Sequence, residues 1–108
     1  VISNNSGNDG GGIYLSTGTA PTIARDTING NSASHMGSGV YSALASLSLT
    51  DCTINGNYST LSGGGVFGNN LTLLRCSVNG NGVAPGRSAA GIWAENGIAM
   101  TGCSVISN

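Results

Sequence analysis

Lysine is absent from this chain, and charged residues of every kind make up 6% of its 108 positions. Three arginines stand against four acids, for a formal net charge of −1. No basic patch can form, so nucleic acid is not expected as a partner. No run of 18 or more apolar residues occurs, which argues against a transmembrane helix and against membrane insertion. There is a single histidine, His35, and the three cysteines stand 24 and 27 residues apart, so no metal-ligand spacing is present. Prolines number two. Low charge with 19 glycines would suit a disordered chain, but the apolar fraction is 39% and it recurs at a fixed phase.

That phase is what the sequence does contain. A β-branched aliphatic is followed three residues later by asparagine in Val1-Ile2-Ser3-Asn4, Ile28-Asn29-Gly30-Asn31, Ile54-Asn55-Gly56-Asn57, Val78-Asn79-Gly80-Asn81 and Val105-Ile106-Ser107-Asn108. The steps are 28−1 = 27, 54−28 = 26, 78−54 = 24 and 105−78 = 27 residues. A second block reads Gly12-Ile13-Tyr14, Gly39-Val40-Tyr41, Gly65-Val66-Phe67 and Gly91-Ile92-Trp93. A third reads Ile23-Ala24-Arg25-Asp26, Leu49-Thr50-Asp51-Cys52, Leu73-Leu74-Arg75-Cys76 and Met100-Thr101-Gly102-Cys103. Each repeat thus holds three short apolar runs between Gly, Asn, Ser and Thr clusters. Such runs, alternating with period 2, read as strands and are too short and Gly-broken for helices. The expectation is an all-β fold: a right-handed parallel β-helix (β-solenoid) of about four coils with three short strands per coil. It forms one segment over 1–108, with repeats at about 1–26, 27–52, 53–76 and 77–103 and the start of a further coil at 104–108.

Alternation assigns the faces. Ile13, Val40, Val66 and Ile92 point inward in the aromatic strands. Leu47, Leu49, Leu71, Leu73, Ile98 and Met100 fill the leucine strands. Ile28, Ile54, Val78 and Val105 fill the asparagine strands, with Cys52, Cys76 and Cys103 two residues earlier on the same side. Coils about 4.8 Å apart turn like residues into columns. Asn31, Asn57, Asn81 and Asn108 are expected to form an asparagine ladder at a turn, which is a structural role. The cysteines read as a column of free buried thiols, since parallel in-register strands rarely give disulfide torsions.

Tyr14, Tyr41, Phe67 and Trp93 each follow an inward aliphatic and should make an outward stripe, one ring per coil. They are the candidate ligand or partner site. Stacked rings that only stabilise the sheet are one reading; a groove that stacks sugar rings or docks a partner is the other. Arg25, Asp51 and Arg75 share one outward phase and should alternate in sign. Asp26 stands where later coils have Cys, Asp9, Arg87 and Glu95 fall in different loops, and His35 reads as a solvated loop residue. Sugar hydrolysis needs two carboxyls across the bond. Here no two acids share a phase on the aromatic face, so no catalytic residue, cofactor or metal is expected. Of the sequons at Asn4, Asn57 and Asn70, the first two read as ladder members and therefore inaccessible. No regular Thr-x-Thr ladder of the ice-binding kind occurs.

The blocks Gly10-Gly11-Gly12-Ile13-Tyr14 and Gly63-Gly64-Gly65-Val66-Phe67, each preceded by an aliphatic-x-x-Asn block, resemble the paired short motifs of polymorphic outer-membrane protein repeats. More broadly they are similar to parallel β-helix repeats of large secreted bacterial surface proteins. The aromatic that the family places before x-x-Asn is Ile or Val here, its usual Ala is a third Gly, and Ala89-Ala90-Gly91-Ile92-Trp93 departs further. The resemblance implies an extracellular or bacterial cell-surface stalk, adhesin or passenger domain and carries over no catalytic residue. The expected function is a non-enzymatic structural solenoid of an extracellular fibre or adhesin, stacking end to end. Its partners would be copies of itself or adjoining coils of a longer chain. A carbohydrate-binding module, or a non-catalytic piece of a larger carbohydrate-active enzyme, is the alternative. The chain starts with Val1 inside a repeat, as a mature or excised piece would.

Overall fold

A computed structural model describes every residue from Val1 to Asn108, and it contains strands and no helix. Every strand pairing is parallel and joins a strand to its counterpart one coil away. The result is a parallel β-solenoid of about four coils. The asparagine strands, Ile2–Ser3, Thr27–Asn29, Thr53–Asn55, Ser77–Asn79 and Ser104–Ile106, form a five-stranded sheet. The aromatic strands Ile13–Leu15 and Val40–Ser42 and the leucine strands Thr22–Ala24 and Ser46–Thr50 belong to a second sheet. In the third and fourth coils those two elements fuse into the continuous strands Val66–Leu74 and Ile92–Thr101.

A further element appears that the apolar pattern does not reveal. Ser6–Gly7, Ser32–Ala33, Tyr58–Ser59 and Gly82–Val83 form a four-stranded ribbon of two-residue strands. Each begins one residue after the ladder asparagine. Two residues are too few to carry an alternation.

The core is a single column of aliphatics and thiols. Ile28, Ile54 and Val78, Val40 and Val66, Leu47, Leu49, Leu71 and Leu73, with Cys52 and Cys76, form an 11-residue cluster, each at most 2% exposed. Ile13, Ile92 and Cys103 pack against it from the end coils as partly buried residues. In the last coil, Ile98, Met100 and Val105 keep the inward phase but are 44%, 49% and 40% exposed.

Strand pairing corrects the register of the first coil. Ile2, not Val1, lies beside Ile28, so the first step is 28−2 = 26 residues. The ladder therefore begins at Asn5, and Asn4 occupies the corner filled by Gly30 in the next coil. Asn4 is exposed with φ 57°, so the placement of its sequon in the buried ladder is overturned.

Three corners of each coil are built from left-handed backbone. The first column is Asn4, Gly30, Gly56, Gly80 and Ser107; the second is Gly10, Gly37, Gly63 and Ala89; the third is Arg25, Asp51, Arg75 and Gly102. All have φ between 51° and 62°, the small left-handed region that side chains resist. The glycine before each inward aliphatic has a different reason. A Cβ on Gly39 would stand 2.3 Å from the carbonyl oxygen of Gly65, and one on Gly65 would stand 2.5 Å from that of Gly91. The triple-glycine block thus combines a corner with a close approach between coils.

Candidate functional site

The four rings of the stripe stand over one another. Tyr14–Tyr41 and Tyr41–Phe67 centroids are each 5.2 Å apart, Phe67–Trp93 6.3 Å, and all three pairs are within 8° of parallel. Strand register brings them together: Tyr14 pairs with Tyr41, Tyr41 with Phe67, and Phe67 with Trp93. The left-handed corner lies against the ring stem, since a Cβ on Gly37 would stand 2.7 Å from that of Tyr41. The faces of the inner rings are covered by their neighbours. Tyr14 is 53% exposed and Trp93 36%, whereas Phe67 is 6% exposed. The stripe has one ring per coil as expected, but the outward placement of Phe67 is corrected, since it is buried, and only the two end rings keep a free face.

Burial, with smaller contributions from Asp9, Tyr14 and Glu95, raises the Tyr41 phenol above its ordinary value. Asp9 is itself engaged. Its Oδ1 lies 2.7 Å from His35 Nδ1, a bond in which the imidazole donates, and it accepts the Met36 backbone N–H at 3.1 Å. His35 is therefore tied into the coil rather than merely solvated. The two residues stand 35−9 = 26 apart, one coil, so the repeat length itself was the signal that could have found the pair. Tyr58, 45% exposed on the two-residue ribbon, is a further ring outside the stripe.

The asparagine ladder has five rungs. The backbone N–H and the Nδ2 of Asn5, Asn31, Asn57 and Asn81 each donate to the Oδ1 of the next rung, ending at Asn108, over 2.9–3.1 Å. Nδ2 of Asn31, Asn57, Asn81 and Asn108 also donates to the carbonyls of Ile2, Ile28, Ile54 and Val78 in the preceding coil. Asn31, Asn57 and Asn81 are at most 2% exposed. The cysteine column is equally inward. Cys52, Cys76 and Cys103 are free, and their thiols donate to the carbonyls of Ile23, Leu49 and Leu73 one coil back. Burial pushes the Cys76 thiol up.

Charge gathers at one corner. Arg75 grips Asp51 with two bonds, Nε to Oδ1 at 2.6 Å and Nη2 to Oδ2 at 2.8 Å, holding its carboxyl below the ordinary value. Arg25 makes no ion pair within 4.0 Å, so the alternating ladder is half formed. Asp26 lies 4.0 Å from the Val1 amino group. No three His, Cys, Asp or Glu side chains converge as metal ligands would. Asn70 is exposed, but its Nδ2 donates to the Ala45 carbonyl at 2.8 Å. Comparison with protein-family models, curated proteins and solved structures finds no match for this chain.

Proposed function

We propose that the chain is a non-enzymatic structural β-solenoid, a scaffold segment of an extracellular fibre or bacterial surface adhesin. One observation carries the reading: the amides of the asparagine ladder, the thiols of the cysteine column and the inner aromatic rings are spent on the neighbouring coil. The ladder amides bond to one another, the thiols to carbonyls, and the inner ring faces to other rings. Asp51 and Asp26 each have a cationic neighbour and Asp9 is hydrogen-bonded to His35, which leaves no pair of free carboxylates for sugar chemistry. The resemblance to surface-protein repeats supports the extracellular placement.

The carbohydrate-binding alternative retains the free faces of Tyr14 and Trp93. A glycan array probed with the chain and with Tyr14→Ala/Trp93→Ala discriminates. The scaffold reading predicts no ring-dependent binding. Saccharide binding that the double variant loses while keeping its β-sheet circular dichroism would overturn it.

A further inference from the structure

The geometry points to a metal site in the cysteine column: one soft, two-coordinate d10 dication, with mercury(II) as the type, held between Cys52 and Cys76. Both thiols are inner, 1% and 2% exposed. Residues of this chain flank them on either side, Ile23 behind Cys52 and Cys103 ahead of Cys76. The site is therefore the same whatever adjoins the two ends. Each sulfur occupies the same point of its coil. Sγ of Cys52, Cys76 and Cys103 is 3.4 Å from the carbonyl oxygen one coil back, that of Ile23, Leu49 or Leu73. It is 3.3, 3.4 and 3.5 Å from the carbonyl oxygen two residues earlier, that of Thr50, Leu74 or Thr101. The flanking pairs Thr50–Leu74 and Thr53–Ser77 are in parallel register. Equal placement in stacked coils separates successive sulfurs by the coil spacing, about 4.8 Å.

That gap is far longer than a disulfide, whose sulfurs stand about 2.05 Å apart. Its midpoint is about 2.4 Å from each sulfur, close to the distance of about 2.3 Å that a thiolate keeps from a d10 ion such as Zn²⁺. A linear ion thus joins the two sulfurs with the coils left at their own spacing. Thiolates select soft ions. No group of three or more metal-ligating side chains is present, so tetrahedral zinc is not served and an ion needing two ligands is. Charge decides among the soft ions. Both thiols release their protons to solvent as two sulfur–metal bonds form. A dication leaves a neutral unit, whereas a monocation leaves a net negative charge among Leu49, Ile54, Leu73 and Val78 of the core cluster, which is costly. Binding gives up only the S–H···O bonds, and a thiol is a weak donor. Local opening of a coil admits the ion.

Two variants with equal numbers of thiols separate adjacency from simple thiol reactivity. Cys103→Ala keeps Cys52 and Cys76 in adjacent coils. Cys76→Ala keeps Cys52 and Cys103, two coils or about 9.6 Å apart. Each chain is equilibrated with mercury(II) in excess glutathione as a competing monothiol and dialysed, and its mercury content is measured by mass spectrometry. Circular dichroism establishes that each is folded; Cys76→Val and Cys103→Val replace an alanine variant that is not. The expected result is one ion per chain for the unaltered protein and for Cys103→Ala, with a raised Tm, and retention weaker by roughly 100-fold for Cys76→Ala. Equal retention by the two variants would mean that thiol number alone matters, and would overturn the inference. So would a folded Cys103→Ala chain that retains no mercury, or loss of the β-sheet signal on binding. Each of these outcomes leaves the scaffold reading standing.

Discussion

The side chain of Asn57 makes four hydrogen bonds. Its Oδ1 takes the N–H and Nδ2 of Asn31, and its Nδ2 serves the Ile28 carbonyl and Asn81 Oδ1. Leucine is of similar size but takes their side-chain partner from the Asn31 backbone N–H, one Nδ2 hydrogen of Asn31 and the Ile28 carbonyl, at about 1–3 kcal/mol for each, while Asn81 Oδ1 keeps the backbone N–H of position 57. Asn57→Leu is therefore expected to cost more than about 3 kcal/mol, read by urea denaturation. Backbone strain has the opposite sign at Ala89. It stands at φ 55° in a column otherwise made of Gly10, Gly37 and Gly63. Left-handed backbone costs an L residue about 1–2 kcal/mol, partly offset by the greater freedom glycine has when unfolded. Ala89→Gly should raise stability by roughly 0.5–1 kcal/mol in the same measurement.

Among the elements, the aromatic strands divide by depth. Phe67 lies between two rings and is 6% exposed, while Trp93 meets one ring and is 36% exposed. Phe67→Ala should cost roughly 2–4 kcal/mol, and Trp93→Ala under about 1.5 kcal/mol, in thermal unfolding. Equal costs would contradict the stacked arrangement. The charged corner responds to acid. Asp51 ionises more readily folded than unfolded. Its pairing therefore contributes above the unfolded value near 3.8 and is lost as pH falls below that. The difference in Tm between the unaltered chain and Asp51→Asn should shrink below about pH 4.

How far these elements could be read from the sequence depends on what each position buries. The aliphatic, thiol and asparagine columns were legible because an inward position tolerates few residue types, and Ile28, Ile54 and Val78 are wholly buried. The two-residue ribbon was not, because Ser32, Tyr58 and Gly82 share no chemistry. The first-coil register was misplaced because Asn4 and Asn5 both satisfy a local motif. The pairing of Ile2 with Ile28 decides between them. The stripe residues were legible by position, but their unequal exposure was not, since it depends on which coils lie above and below.

For the whole molecule, each coil touches only its neighbours, so stability is a sum over adjacent interfaces and the end coils open first. Inner coils share two interfaces and end coils one. The asparagine column expresses this most directly, because its rungs are 24–27 residues apart in sequence and one coil apart in space. The decisive measurement is nuclear magnetic resonance of the asparagine side-chain amides. The solenoid predicts Overhauser contacts from the Asn57 amide to both Asn31 and Asn81. It also predicts hydrogen exchange slowest at Asn57 and faster toward Asn5 and Asn108. Rapid, uniform exchange with no contact between those rungs would contradict it.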